Sequence, residues 1–400
     1  MDNDSTIQKS KKIIINKHTL LFVIAIFLIA TTLRTPLTVV GPIISFIREG
    51  LGISNVLAGF LTTIPLLAFA VVSPFAAPIS RKFGMELTLF YSVILLLGGI
   101  VIRSLGLTSL LVLGTVLIGV AIAFGNVLIP SYFKLKFPLH IGILTGIYTV
   151  SMNLSAGLAA GFSHPIASSS FGWQGSLSFS GILCVLTLIA WLPLLRGKKV
   201  EVAAPSTEQA SKKLSRSTLA WAIAFAMGFQ SFLFYCTATW IPEIYIAQGI
   251  DPENAGWLVT IMQFSQIPMT FIMPILAAKL TSQRPIVIFF TVCYFIGFTG
   301  MIMEWTSLAV VWMIFLGFAG GASFGLCMML FNLRTKTAYD AAELSGFAQS
   351  IGYLLAAIGP VAFGFIHDLT DSWFMPNVLF MIAATLLFIT GMISSKNRYV

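Results

Sequence analysis

The sequence predicts an all-α polytopic membrane protein of twelve transmembrane helices, folded as two six-helix bundles, and three observations carry that prediction. Apolar runs of spanning length recur along the whole 400-residue chain. Charged residues make up 9% of it and hydrophobic residues 57%. One long polar segment, Arg196–Ser217, divides it almost evenly. A soluble domain carries about 25% charged residues, so 23 Lys and Arg with 14 Asp and Glu cannot coat a water-facing surface of this size. At a mean hydropathy of +0.94, lipid is the solvent for most of the chain.

Crossing ~30 Å of hydrocarbon takes ~20 helical residues. The runs that meet this are 19–47, 55–79, 86–105, 108–133, 140–164, 174–195, 218–242, 254–278, 285–303, 307–333, 343–366 and 374–394. Helices are required because lipid offers no partner to an open sheet edge. Internal Pro and Gly are tolerated there as kinks and close-packing points, as at Gly98-Gly99 and Gly320-Gly321. The first run, Leu20 to Phe46, is too long for the apolar core of a signal peptide and lacks a small-residue cleavage site, so it is an uncleaved helix.

Charge position sets the expected orientation. With the N-terminus cytoplasmic, 20 of the 23 basic residues fall on that side, from Lys9, Lys11, Lys12 and Lys17 through Arg81, Lys82, Lys134 and Lys136 to Lys396 and Arg398. Arg48 and Arg103 lie outside at helix ends, and Arg34 remains in the membrane. This is the positive-inside imbalance of a plasma (inner) membrane protein with both termini cytoplasmic. It accounts for the +9 net charge without a nucleic-acid partner. Cys184, Cys236, Cys293 and Cys327 sit inside apolar runs, without metal-site or disulfide spacing. No cofactor or metal is expected, the bilayer is the surrounding partner, and a monomer is the default.

The polar segment 196–217 is read as a cytoplasmic linker between bundles 1–195 and 218–400. A weak repeat supports the division. Thr145-Gly146 corresponds to Ser345-Gly346 and Pro42 to Pro242, each displaced by 200 residues. Two parallel halves with such a linker resemble the major facilitator superfamily, whose substrate site lies between the halves near the midplane.

The segment Ser73–Glu86 is similar to the superfamily's gating-loop pattern, G-x-L-a-D-r-x-G-r-r. Arg81, Lys82 and Gly84 are its gating residues here. The usual Asp is absent, so the interhelical charge contact made by that Asp has no counterpart in the motif. Other segments resemble the cyanate and 2-nitroimidazole porter family. These are Leu33-Arg34 with Val40-Gly41-Pro42, Gly125-Asn126-Val127-Leu128 with Pro130, and Thr145-Gly146-Ile147-Tyr148-Thr149 with Met152. Gln230-Ser231, Phe234-Tyr235, Trp240-Ile241-Pro242 and Ala348–Leu354 continue the match. The resemblance implies a carrier of small anions or small heterocycles.

Arg34 is the most informative residue. It stands seventeen residues after Lys17, roughly 25 Å along the helix at 1.5 Å per residue, near mid-bilayer. A charge there costs ~2.5–3.5 kcal/mol on insertion scales, and it needs a partner. All 14 acidic residues fall at helix ends or in loops. An anionic or strongly dipolar substrate is therefore expected to supply the missing charge, gripped by the planar guanidinium. The alternative is that Arg34 bonds backbone carbonyls around a kink at Pro36.

The supporting set is neutral. Asn126, Tyr148, Met152, Gln230, Tyr235, Gln263 and Gln349 complete the expected substrate site, and Tyr353 adds a hydroxyl. The competing reading is that such amides only glue helices together, at ~0.6 kcal/mol each; for Asn153 and Gln266 neighbouring helices or lipid headgroups are the alternative partners. His164 and His367 lie at outer helix ends, where histidines without partners seldom relay protons. No nucleophile elbow, metal motif or phosphate-cradling loop is present, which argues against an enzyme or an ATP-driven pump. The expected function is alternating-access transport of a small anionic or polar solute, with protons as the candidate coupling ion. The rival is a proton-coupled multidrug exporter of the same fold. For cationic drugs it would need a midplane carboxylate.

Overall fold

The computed structural model describes residues 17–53, 55–195 and 214–400. Lys9, Lys11, Lys12 and linker residues 196–213 lie outside the described residues. Among the described residues, twelve segments are long and apolar enough to cross a membrane. Their helices are α1 (Lys17–Thr38), α2 (Asn55–Phe83), α3 (Met85–Arg103), α4 (Thr108–Lys136), α5 (Ile141–Ala167) and α6 (Ser180–Leu195). The second set is α7 (Thr218–Ala247), α8 (Pro252–Lys279), α9 (Arg284–Ile302), α10 (Ala309–Leu333), α11 (Ala338–Thr370) and α12 (Phe374–Ser394).

Several boundaries differ from the sequence reading, and two of the differences have identifiable reasons. The first span, expected as one helix over 19–47, stops at Thr38 and resumes as a 3-10 turn (Gly41–Ile43) and a short helix (Ile44–Leu51). Pro36 and Pro42 each remove an N–H from the ladder. The hydroxyls of Thr31, Thr32 and Thr35 bond back to carbonyls three or four residues earlier, which further loosens this stretch. The eleventh helix begins at Ala338, not 343, because Thr337 and Asp340 form a reciprocal cap. Asp340 N–H donates to Thr337 Oγ1 (3.1 Å), and Thr337 N–H donates to Asp340 Oδ2 (3.2 Å).

Packing repeats with a shift of six helices. In the first half α1 contacts α5 and α6, α2 contacts α4, and α3 contacts α4 and α6. In the second half α7 contacts α11 and α12, α8 contacts α10, and α9 contacts α10 and α12. The halves meet mainly through α2–α11 and α5–α8, a pair of contacts related by the same shift. The two repeat glycines lie at these crossings. A Cβ on Gly346 would stand 2.5 Å from the Ser73 carbonyl oxygen, and one on Gly146 would stand 3.0 Å from that of Phe271. Only a residue without a side chain lets the backbones approach so closely.

Polar contacts between the halves gather toward the end of the bundle where most basic residues lie. Ser350 Oγ donates to the Ala70 carbonyl (2.5 Å) and Thr149 Oγ1 to that of Thr270 (3.0 Å). Asn332 Nδ2 donates to the Pro130 carbonyl (2.9 Å). Lys134 Nζ donates to the Asn332 carbonyl (2.7 Å) and to Thr335. This basic end is sealed.

Candidate functional site

Above the seal, six helices from both halves converge on a cleft of about 310 Å³ of empty space, its solvent opening included. Its walls come from α1 (Arg34), α5 (Asn153), α7 (Gln230, Ser231, Phe234, Tyr235), α8 (Gln266), α10 (Phe324) and α11 (Tyr353). The four α7 positions recur at helical spacing, so one face of that helix fronts the cleft.

Arg34 is half-buried, and its guanidinium carbon lies 5.6 Å from the Phe234 ring centre and 5.7 Å from that of Phe324. Both faces belong to the half opposite its own. The aromatic quadrupole attracts the cation. Its buried Nε has no acceptor among the described residues. Among the described residues, no carboxylate forms an ion pair with Arg34. The cleft thus offers one permanent positive charge, hydroxyl and amide groups, and two aromatic faces.

Of the eight residues expected to bind substrate, Arg34, Gln230 and Tyr235 line the cleft. Asn126, Tyr148 and Gln349 are brought together behind it. Tyr148 Oη donates to Asn126 Oδ1 (3.3 Å), and Gln349 Nε2 donates to the Asn126 carbonyl (3.0 Å) and to Ser345 Oγ (2.8 Å). This buried bridge ties α4 and α5 to α11. Met152 is buried outside the lining, and Gln263 stands beside it, accepting from Gln266 Nε2 (2.6 Å). Asn153 and Gln266, which had neighbouring helices or headgroups as their alternative, both line the cleft. Asn153 Nδ2 donates to Thr270 Oγ1 (3.2 Å), which orients the amide. Phe324 carries no mark in the sequence, being one of 34 Phe; Ser231 and Phe234 stood in a family motif without a role.

At the sealed end, Arg81 of α2 pairs with Glu343 of α11 at 2.5 Å, with side chains 7% and 9% exposed. Counting back three residues from Gly84 puts Arg81 where the gating pattern carries Asp. The interhelical charge contact for which the motif offers no Asp is therefore made, with its polarity reversed. Lys82 is exposed and its ammonium lies over the Phe83 ring, 5.4 Å from its centre. Gly84 has φ +89°, a turn that another residue would enter only under strain. Lys136 and Glu86 pair at 2.7 Å within the first half.

Arg103 also departs from expectation. It ends α3, as the sequence placed it, but it is buried rather than solvated: it is 1% exposed, with Nη1 donating to the Pro36 carbonyl at 2.7 Å. The break in α1 frees that carbonyl from the helix ladder. Among the described residues, no group of three or more His, Cys, Asp or Glu could hold a metal.

The profile of the Major Facilitator Superfamily matches residues 20–360. The chain belongs to that superfamily. It is 44% identical over 377 residues to the uncharacterized transporter YycB of Bacillus subtilis, covering 94% of this chain and 93% of the relative. It is 36% identical over 382 residues to the 2-nitroimidazole transporter of Escherichia coli, covering 96% and 97%. It is 24% identical over 354 residues to the cyanate transport protein CynX of the same organism, covering 88% and 91%. The fold is that of the proton:xylose symporter XylE, with a TM-score of 0.76 at 14% identity over 94% of this chain and 95% of that one. The protein is a multi-pass membrane transporter of the cyanate and 2-nitroimidazole group, not an enzyme.

Proposed function

We propose that this transporter moves a small anionic or strongly dipolar solute, cyanate-like or nitroimidazole-like, by alternating access, with Arg34 as the central binding residue. The observation that carries this is the Arg34 guanidinium in the cleft between the halves with no carboxylate paired to it among the described residues. Such a site favours a ligand bearing one negative charge or two partly negative oxygens. Asn153, Gln230, Gln266 and the Tyr235 and Tyr353 hydroxyls orient that ligand without adding charge. The lack of an acidic side chain in the lining disfavours a cationic drug as cargo. The basic end faces the cytoplasm of the plasma membrane, by the positive-inside rule, so the sealed state takes its solute from outside. One chain holds a complete site and acts as a monomer.

The test is uptake into liposomes holding the purified protein, with cyanate, benzoate, 2-nitroimidazole and a quaternary ammonium as labelled probes. Anions or the nitroheterocycle are expected to enter and the ammonium to be refused. Arg34→Gln and Arg34→Lys are expected to abolish uptake while the protein inserts and stays monodisperse. Undiminished transport by Arg34→Gln overturns the assignment.

A further inference from the structure

We propose that Arg103 holds a monovalent inorganic anion, of which chloride is the simplest, in a buried site where α3 and α4 close on the break in α1. The site is separate from the substrate cleft. Arg103 ends α3 and is 1% exposed. One guanidinium nitrogen, Nη1, is committed to the Pro36 carbonyl at 2.7 Å. The opposite edge, formed by Nε and Nη2, is buried and has no acceptor among the described residues. Those two N–H groups form the side-on fork with which arginine grips an anion at two points.

Arginine cannot shed its charge by losing a proton, and a buried charge without a partner is costly. The usual solution, a carboxylate, is not used. The ion pairs among the described residues involve Arg81, Lys136 and His367. Nor does α4 place a side chain at its crossing with Arg103. A Cβ on Gly114 would stand 2.5 Å from the Arg103 backbone nitrogen, so main chain meets main chain there. A single negative charge with lone pairs on several sides completes the fork. One cation, already sharing its other edge with a carbonyl, matches a monovalent ion better than a divalent one.

Arg103 is absent from the cleft lining. Pro36 lies two residues beyond Arg34, which is ~200° around the helix. Arg103 therefore reaches α1 from the side away from the cleft. An anion bound there would neutralise the second arginine of this region, leaving Arg34 as the charge that the substrate meets.

The test is thermal unfolding of the purified full-length protein in sodium chloride, sodium bromide or sodium gluconate at one ionic strength. A saturable rise in Tm with chloride and bromide is expected for the natural sequence and for Arg34→Gln, and none for Arg103→Gln. An absent halide response, or one lost in Arg34→Gln and kept in Arg103→Gln, overturns the proposal. Because Arg103→Gln can fail to fold, equilibrium binding of radiolabelled chloride to Arg34→Gln decides independently. A single saturable site is expected; no binding overturns it.

Discussion

The Arg34 guanidinium meets two aromatic faces from the opposite half of the chain. Phe234 and Phe324 lie at similar distances from the guanidinium, and each such contact is worth ~0.5–2 kcal/mol according to its desolvation. Replacing Phe324 by Leu keeps the bulk and removes the quadrupole. Its KM is expected to rise about two- to thirty-fold with little change in maximal rate, as read from concentration-dependent uptake. Arg334 has a different task. It is 2% exposed, its Nε donates to the Ser394 carbonyl (2.9 Å) and its Nη2 to Gln283 Oε1. Burial holds this guanidinium below its ordinary pKa. Arg334→Met strands both acceptors and is expected to lower stability by ~2–4 kcal/mol, seen as a lower Tm without loss of substrate preference. In the sequence, Arg334 reads only as one more basic residue beside Lys336.

Between elements, the decisive contact is the reversed pair of Arg81 and Glu343. Breaking a buried pair by removing one partner costs ~3–5 kcal/mol. Arg81→Glu and Glu343→Arg are each expected to shift the population toward an open basic end. The double exchange, Arg81→Glu with Glu343→Arg, is expected to restore the seal. Spin-label distances across α2 and α11 read both outcomes, and a double variant as open as the single ones counts against a latch. Gly346→Val is expected to shift the distances in the same direction, because its side chain would press on the Ser73 carbonyl. The sequence could name Arg81 through the gating pattern, but not its partner. The two residues are 262 apart and meet only through packing.

For the molecule as a whole, the twelve spans were readable because length and apolarity report lipid directly. The six-helix shift was readable in Gly146 and Gly346, which mark its two equivalent crossings. Helix rotation was not. A helix that packs against lipid on one side and protein on the other shows no polar stripe to orient it. That is why Asn153 and Gln266 could not be ranked above Asn126 and Gln349. The sequence names a kink at Pro36 but not the full break after Thr38, because Pro is tolerated within spans. Ala70→Cys with Ser350→Cys places two thiols where a side-chain hydrogen bond now joins the halves. Oxidation of that pair is expected to stop transport and a reductant to restore it, measured as uptake before and after treatment.

The contacts that close the basic end extend from Ala70 to Arg81 along α2 and from Gly142 to Thr149 along α5. They cover eleven and seven steps of helix, ~16 Å and ~10 Å, a third to a half of the hydrocarbon thickness. A plug that deep has no single door for a side-chain flip to open. In the proposed mechanism, passage waits on whole bundles tilting, a microsecond-to-millisecond event. Under the proposed alternating access, a membrane can carry many copies of this protein and keep its ion gradients, at the cost of delivering cargo one molecule per stroke.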